Sequence, residues 1–346
     1  MTAPVGIKVR SLVIFVGLLA SIADSSQVEA VNSSSPKSLV QRRIATVGNP
    51  DNYMTSGFNG VARLAGQESQ NRSCAASLLN TGLHLLTASH CIFGFNPPDY
   101  VLNFGEIRLS AAKYFIHPEY NHSKVANDIA IIELASEAPK FLTRYDIYPN
   151  NDEVGKIFNL VGYGALGTGE GGAGLSPADF DYQKRVGQNS YDALGEILDG
   201  LIPGFSILPG TQLAYDFDSG RPEQDAFGVV FGSEYADLGL GLNEVNSALA
   251  DSGAPTFIDG AIAGITSYGF GADLSKNLLL TDVTPTVTDS GFGEISVDTR
   301  VSFYAAWIDS VLRGDNPVSI PEPSPLAGLT IVGASFLLKR YRSEKK

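Results

Sequence analysis

Apolar runs in this chain are short, and most are closed by Gly, Pro, Asn or Asp. Glycine alone accounts for 37 of the 346 residues. Turn residues at this density are the texture of an all-β protein with many connections. Hydrophobic residues make up 44% and charged ones 18%, a balance that supports a packed interior rather than disorder. The length admits one large two-part core or two domains. The formal net charge is -13, with the excess acid spread along the chain. Such a surface argues against a nucleic-acid partner and suits a soluble protein outside the cytoplasm.

The two ends read as address signals. Lys8 and Arg10 precede an apolar stretch at 12–20, and Val28-Glu29-Ala30 offers small residues at a cleavage point. This is the pattern of a secretory leader over residues 1–30, too short in its apolar part to span a bilayer comfortably. Residues 31–43 then form a pro-segment or linker. At the other end, 317–325 is proline-rich and 326–338 is apolar, and Lys339, Arg340, Arg342, Lys345 and Lys346 follow. That is a marginal membrane segment stopped by positive charge. With Pro321-Glu322-Pro323 ahead of it, the tail at 314–346 resembles a bacterial PEP-CTERM sorting signal. The resemblance implies a processing enzyme as partner, and an extracellular or cell-envelope location with transient anchoring.

Two cysteines are present, Cys74 and Cys91. A pair can be a buried apolar couple, part of a metal site or one disulfide. Export to an oxidising compartment favours the disulfide. Cys91 directly follows His90, which ends the run Leu85-Leu86-Thr87-Ala88-Ser89. A general base must be held rigidly, and here an apolar strand enters a small-residue turn that a disulfide would staple. Closing a loop of this size is worth ~3 kcal/mol on the chain-entropy model. His84, His117 and His122 have no comparable setting and read as surface or packing residues.

Thr87-Ala88-Ser89-His90-Cys91 resembles the histidine motif of trypsin-like serine proteases, with Cys74 where the partner cysteine would stand. Asn127-Asp128-Ile129-Ala130 resembles the start of the strand that carries the family's aspartate. Asp251-Ser252-Gly253-Ala254-Pro255 resembles its nucleophile loop. Gly264-Ile265-Thr266-Ser267-Tyr268-Gly269 is similar to the strand that binds substrate backbone, and Thr299-Arg300-Val301 to the run into a C-terminal helix. The motifs stand in the family's order, His, Asp, Ser. The resemblance implies a protease domain over 44–313. Its fold would be all-β, two packed six-stranded antiparallel β-barrels of chymotrypsin type with a short C-terminal helix. It implies a His90–Asp128–Ser252 triad acting on protein or peptide substrates, with no metal or organic cofactor.

Further roles follow from the same likeness. The oxyanion hole would use the amides of Ala250 and Ser252, although the family carries glycine where Ala250 and Ala254 stand. Cleavage at Arg43–Ile44 would free an ammonium to pair with Asp251. Asn246 falls at the base of the specificity pocket, where a neutral side chain argues against a basic preference. Ser267, Tyr268 and Gly269 would form its wall and bind substrate backbone. Two rivals stay open: a protease-fold surface or matrix protein that has lost turnover, and an esterase-like hydrolase using the same triad. Residues 167–174 read as a flexible Gly-rich loop. Asp216, Asp218, Glu223 and Asp225 read as a solvated acidic hairpin loop, calcium being conceivable there but with no complete ligand spacing.

Overall fold

The computed structural model describes residues 45–66, 73–174, 179–201 and 206–315. The leader, the Arg43–Ile44 bond and the C-terminal tail, including 326–338, lie outside the described residues. Among the described residues no helix is long and apolar enough to cross a membrane.

A short strand β1 (Ala45–Thr46) opens the chain, followed by β2 (Val61–Gly66), β3 (Ser73–Leu78) and β4 (His84–Thr87). After them come β5 (Tyr100–Phe104), β6 (Ile107–Ile116) and β7 (Ala130–Leu134). All but β1 close into a six-stranded antiparallel barrel in the order β2-β3-β4-β7-β6-β5. Pairing of Arg63 with Asn103 and Leu64 with Leu102 seals the last seam. Alternation is visible in β5, where Tyr100, Leu102 and Phe104 are buried and Val101 and Asn103 are not. β4 is buried throughout, and its Leu85 and Leu86 lead into the histidine turn.

The second half contains β8 (Ile157–Gly162), β9 (Gly167–Thr168), β10 (Gly172–Ala173), β11 (Arg185–Ser190) and β12 (Ala193–Leu194). It continues with β13 (Gln212–Asp216), β14 (Val245–Asn246), β15 (Pro255–Ile258), β16 (Ala261–Phe270) and β17 (Ile295–Arg300). Seven of these form one curled antiparallel sheet, β11-β8-β15-β16-β17-β13-β12. The expected all-β, chymotrypsin-like architecture is therefore present. The second half differs from the expected closed barrel in being an open curled sheet. A separate four-stranded sheet, β10-β9-β1-β14, lies beside it in the chain's pairing scheme. Residues 167–174, expected to be a flexible loop, form the β9–β10 hairpin, and Thr168 pairs with Thr46.

Among the described residues, three short α-helices accompany these strands: α1 (Ser89–Ile92), α2 (Ala226–Phe231) and α3 (Ala305–Leu312). The expected C-terminal helix is α3, which buries Trp307, Ile308 and Val311. His117 packs against the rings of Tyr304 and Trp307, and burial pushes its imidazole down to about 4. His117 is thus a packing residue, as expected. One apolar core joins barrel residues such as Leu86 and Ile131 to Phe158, Phe257 and Trp307.

Candidate active site

His90 sits in α1, the turn that follows β4. Three links hold this turn. Thr87 Oγ1 donates to the Ala75 carbonyl at 2.7 Å, and Ser89 Oγ donates to the Ile129 carbonyl at 2.6 Å. The third is the Cys74–Cys91 disulfide, which ties α1 back to β3 across 17 residues. The pairing favoured from the sequence is the one present.

Asp128 lies at the entrance to β7, with only 1% of its surface exposed. Its Oδ2 is 2.6 Å from His90 Nδ1, and its Oδ1 accepts from the His90 backbone N–H at 2.9 Å. An ionised carboxylate only accepts, so Nδ1 carries the hydrogen and Nε2 is left as the free base. Burial alone would push the imidazole down, but the charge of Asp128 and its hydrogen bond outweigh this and raise it. Burial likewise opposes ionisation of Asp128, and the His90 contacts prevail and lower it.

A third donor reaches the same carboxylate, since Ser267 Oγ donates to Asp128 Oδ2 at 2.6 Å. Ser267, expected at the pocket wall, thus has its hydroxyl on the aspartate as well. The reason is a β-bulge: Thr266 pairs with Asp298 and Tyr268 with Val297, which leaves Ser267 as the extra residue. Bulges re-aim side chains in this way, and the sequence carries no separate signal for one here. Thr299 Oγ1 also donates to the Asp128 carbonyl, at 3.0 Å.

Ser252 lies between β14 and β15 on a loop docked against the barrel. Its carbonyl accepts from Ala75 N–H at 2.8 Å, while Gly253 N–H donates to Thr266 O at 2.8 Å. Gly253 has φ +78°, and a Cβ there would sit 2.4 Å from the Ala75 carbonyl and from Thr87 Oγ1. Only glycine fits such a contact, and it places Ser252 beside the histidine turn. Among the described residues no hydrogen bond joins Ser252 Oγ to His90 Nε2, which lies 3.9 Å from Cys91 Sγ. Unliganded catalytic contacts are often longer than those of the working complex.

Ala250 occupies the left-handed region, with φ +77°. This is a backbone conformation that suits glycine, the residue the family carries here, and alanine adopts it in this chain. Neither the Ala250 nor the Ser252 amide N–H donates to another group among the described residues. Ala254, the other alanine in place of glycine, is fully buried.

Asp251 is also fully buried, and accepts from Gly164 N–H at 2.7 Å and Ala248 N–H at 3.0 Å. Burial pushes its carboxyl up to about 6 despite these amides and the charge of Arg185. Ala45, next in the chain to Ile44, is buried and paired with Asn246. The start of the described chain thus threads alongside the strand that leads to Asp251.

Asn246 is buried, and its Oδ1 accepts from Ser296 Oγ at 2.6 Å. Ser247 Oγ lies 2.8 Å from the same Ser296 hydroxyl. Ser247 and Ser296, which the sequence motifs did not single out, thus form a neutral hydroxyl cluster with Asn246. Tyr268 OH donates to Gln212 Oε1 at 2.8 Å, and Gly269 is exposed on β16.

Among the described residues, two groups of side chains have metal-ligand proximity. One is Cys74, His90 and Cys91, whose sulfurs are already joined in the disulfide. The other is Asp216, Asp218 and Asp225. The expectation of a solvated acidic loop is overturned for these three, which are buried, while Glu223 alone is exposed. Asp216 ends a fully buried strand, and Asp225 caps the inward-packed helix α2.

The family model described as Trypsin matches residues 52–181. That span holds Cys74, His90, Cys91 and Asp128 and stops before Ser252. Together with the closed barrel and the curled second sheet, the match supports a serine-protease fold of trypsin-like type.

Proposed function

We propose that this chain is an exported serine endopeptidase that works through His90, Asp128 and Ser252. The observation that carries the reading is the buried Asp128 carboxylate, which holds both the ring and the backbone N–H of His90. His90 Nε2 takes the Ser252 Oγ proton as that oxygen attacks the scissile carbonyl. The developing oxyanion is received by the Ala250 and Ser252 amides. His90 then protonates the leaving amine, and water hydrolyses the acyl-enzyme by the same relay. Asp128 fixes the tautomer and stabilises the imidazolium, and Ser267 and Thr299 position Asp128.

Substrate side chains would meet the Asn246, Ser247 and Ser296 cluster, which is neutral and does not select lysine or arginine. Tyr268 and Gly269 would contact substrate backbone. Activation follows cleavage at Arg43–Ile44, with the new ammonium paired to Asp251. A secretory leader and a PEP-CTERM-like tail would send the enzyme to the cell envelope or outside it, with a membrane processing enzyme acting on the tail.

A second reading is a protease-fold matrix protein without turnover. The left-handed backbone at Ala250 favours it, because an alanine held there costs ~1–2 kcal/mol. Peptide-library turnover after cleavage at Arg43 separates the two. The peptidase reading expects hydrolysis that Ser252→Ala lowers by at least about 10³-fold. Its activity is lost as pH falls through a midpoint above the ordinary histidine value, since His90 must be neutral and is raised. Equal, near-zero turnover in both proteins supports the matrix reading.

A further inference from the structure

From the end of β13 to the start of β14 the chain buries four carboxyl groups, those of Asp216, Asp218, Asp225 and Glu244. Asp216, Asp218 and Asp225 each present an oxygen within 4.8 Å of the others, and all three are buried. Two of them have an evident structural task. Asp216 Oδ2 accepts from Phe227 N–H at 3.0 Å, and Asp225 Oδ1 accepts from Gly228 N–H, so both anchor the start of α2. The backbone amides of Ala226 and Asp237 also act on Asp216 and Asp225 respectively.

Asp218 has no such task. Its side chain is 3% exposed, and its Oδ1 has no hydrogen-bond partner. The charged groups acting on it are Asp216, Glu244, Asp225 and Asp192, all acidic. Among the described residues none of these five carboxyls is in an ion pair with lysine or arginine. Gln224, the residue before Asp225, is also buried, and its Oε1 lacks a partner. A bare carboxylate aimed at two others, out of water and with no cation, is costly unless something positive joins them.

We infer that Asp216, Asp218 and Asp225 form a calcium site in the second half of the fold. Oxygens bound to one calcium at about 2.3–2.6 Å lie at most about 5 Å apart, which is the spacing of these three. An all-oxygen set rich in carboxylates suits a hard cation of flexible geometry, and magnesium fits less well because it requires a tight octahedron. The ion would also brace the candidate pocket. Asn189 Nδ2 donates to the carbonyls of both Asp216 and Val245, at 2.7 and 3.1 Å. Glu244 Oε1 accepts from Asp218 N–H at 2.7 Å, and β14 with Asn246 follows directly.

The test uses full-length protein carrying Ser252→Ala, so that neither the assay nor the outcome depends on turnover. Calcium chloride is titrated into EGTA-treated protein by calorimetry, and Tm is compared in calcium and in EGTA. The expected result is about one ion per chain and a Tm rise of about 5 °C at saturating calcium, with a weaker response to magnesium. Asp218→Asn abolishes both signals, and Asp225→Asn serves the same end if that variant does not fold. Glu294→Gln, in a separate acidic loop, leaves both signals in place. Absence of binding and of a Tm shift in the parent protein would overturn the inference. So would a calcium response that survives in a folded Asp218→Asn or Asp225→Asn protein, or one that Glu294→Gln removes.

Discussion

Ala250 carries a conformation that its side chain resists, and the loop holds it there from both sides. Asp251 N–H donates to the Ala248 carbonyl at 2.9 Å, and the buried Asp251 carboxylate takes the Ala248 amide. On the peptidase reading these contacts outweigh the strain and leave the Ala250 amide free to donate. Ala250→Gly should therefore stabilise the protein by about 0.5–1 kcal/mol, the strain relief being partly offset by a freer unfolded chain. Turnover should change by less than about threefold, because the N–H is already in place. Denaturant melts and kcat on one peptide check both parts. A gain in kcat of about 10² or more would mean that alanine had displaced the donor.

At the scale of elements, the histidine turn depends on the staple between β3 and α1. Replacing Cys74 and Cys91 together by alanine should cost about 3 kcal/mol, seen as a lower denaturation midpoint. It should also lower kcat more than it raises KM, because the ring is loosened and not the pocket. How far each element was legible follows from how local its cause is. Thr87 to Cys91 is contiguous, so its strand and turn could be read directly. The Ser267 contact depends on register: a bulge between Thr266 and Tyr268 turns one hydroxyl toward an aspartate 139 residues away. The acidic run misled for a related reason. Asp216 and Asp218 look solvated in sequence, but β13 pairs with the buried strand β17, and Glu244 returns to cover Asp218. The open second sheet could not be read because short strands such as Ala193–Leu194 carry too little pattern.

Across the whole described fold, the burial of acid sets how stability responds to pH. Asp298 is fully buried in β17, where it accepts from Tyr191 OH at 2.6 Å and Thr256 Oγ1 at 3.0 Å. Burial holds its carboxyl up at about 7, and burial raises Glu294 to about 9. Both are raised above their unfolded values, so the stability they contribute is complete below about pH 4. It is lost as pH rises through about 7 for Asp298 and about 9 for Glu294. Tm should accordingly fall between pH 6 and 10 in a buffer series, and Asp298→Asn should flatten the first part of that fall. A Tm that rises over this range would show that these groups are ionised in the fold.

All three scales converge on one claim, that the His90–Asp128 pair serves Ser252. Fluorophosphonate labelling of the protein cleaved at Arg43, followed by mass spectrometry of the adduct, tests it most directly. The reagent should attach once, at Ser252, and labelling should be absent in Ser252→Ala and slowed by about 10³-fold or more in His90→Ala. An unlabelled Ser252 in the cleaved parent protein, or an adduct that persists in Ser252→Ala, would contradict the account.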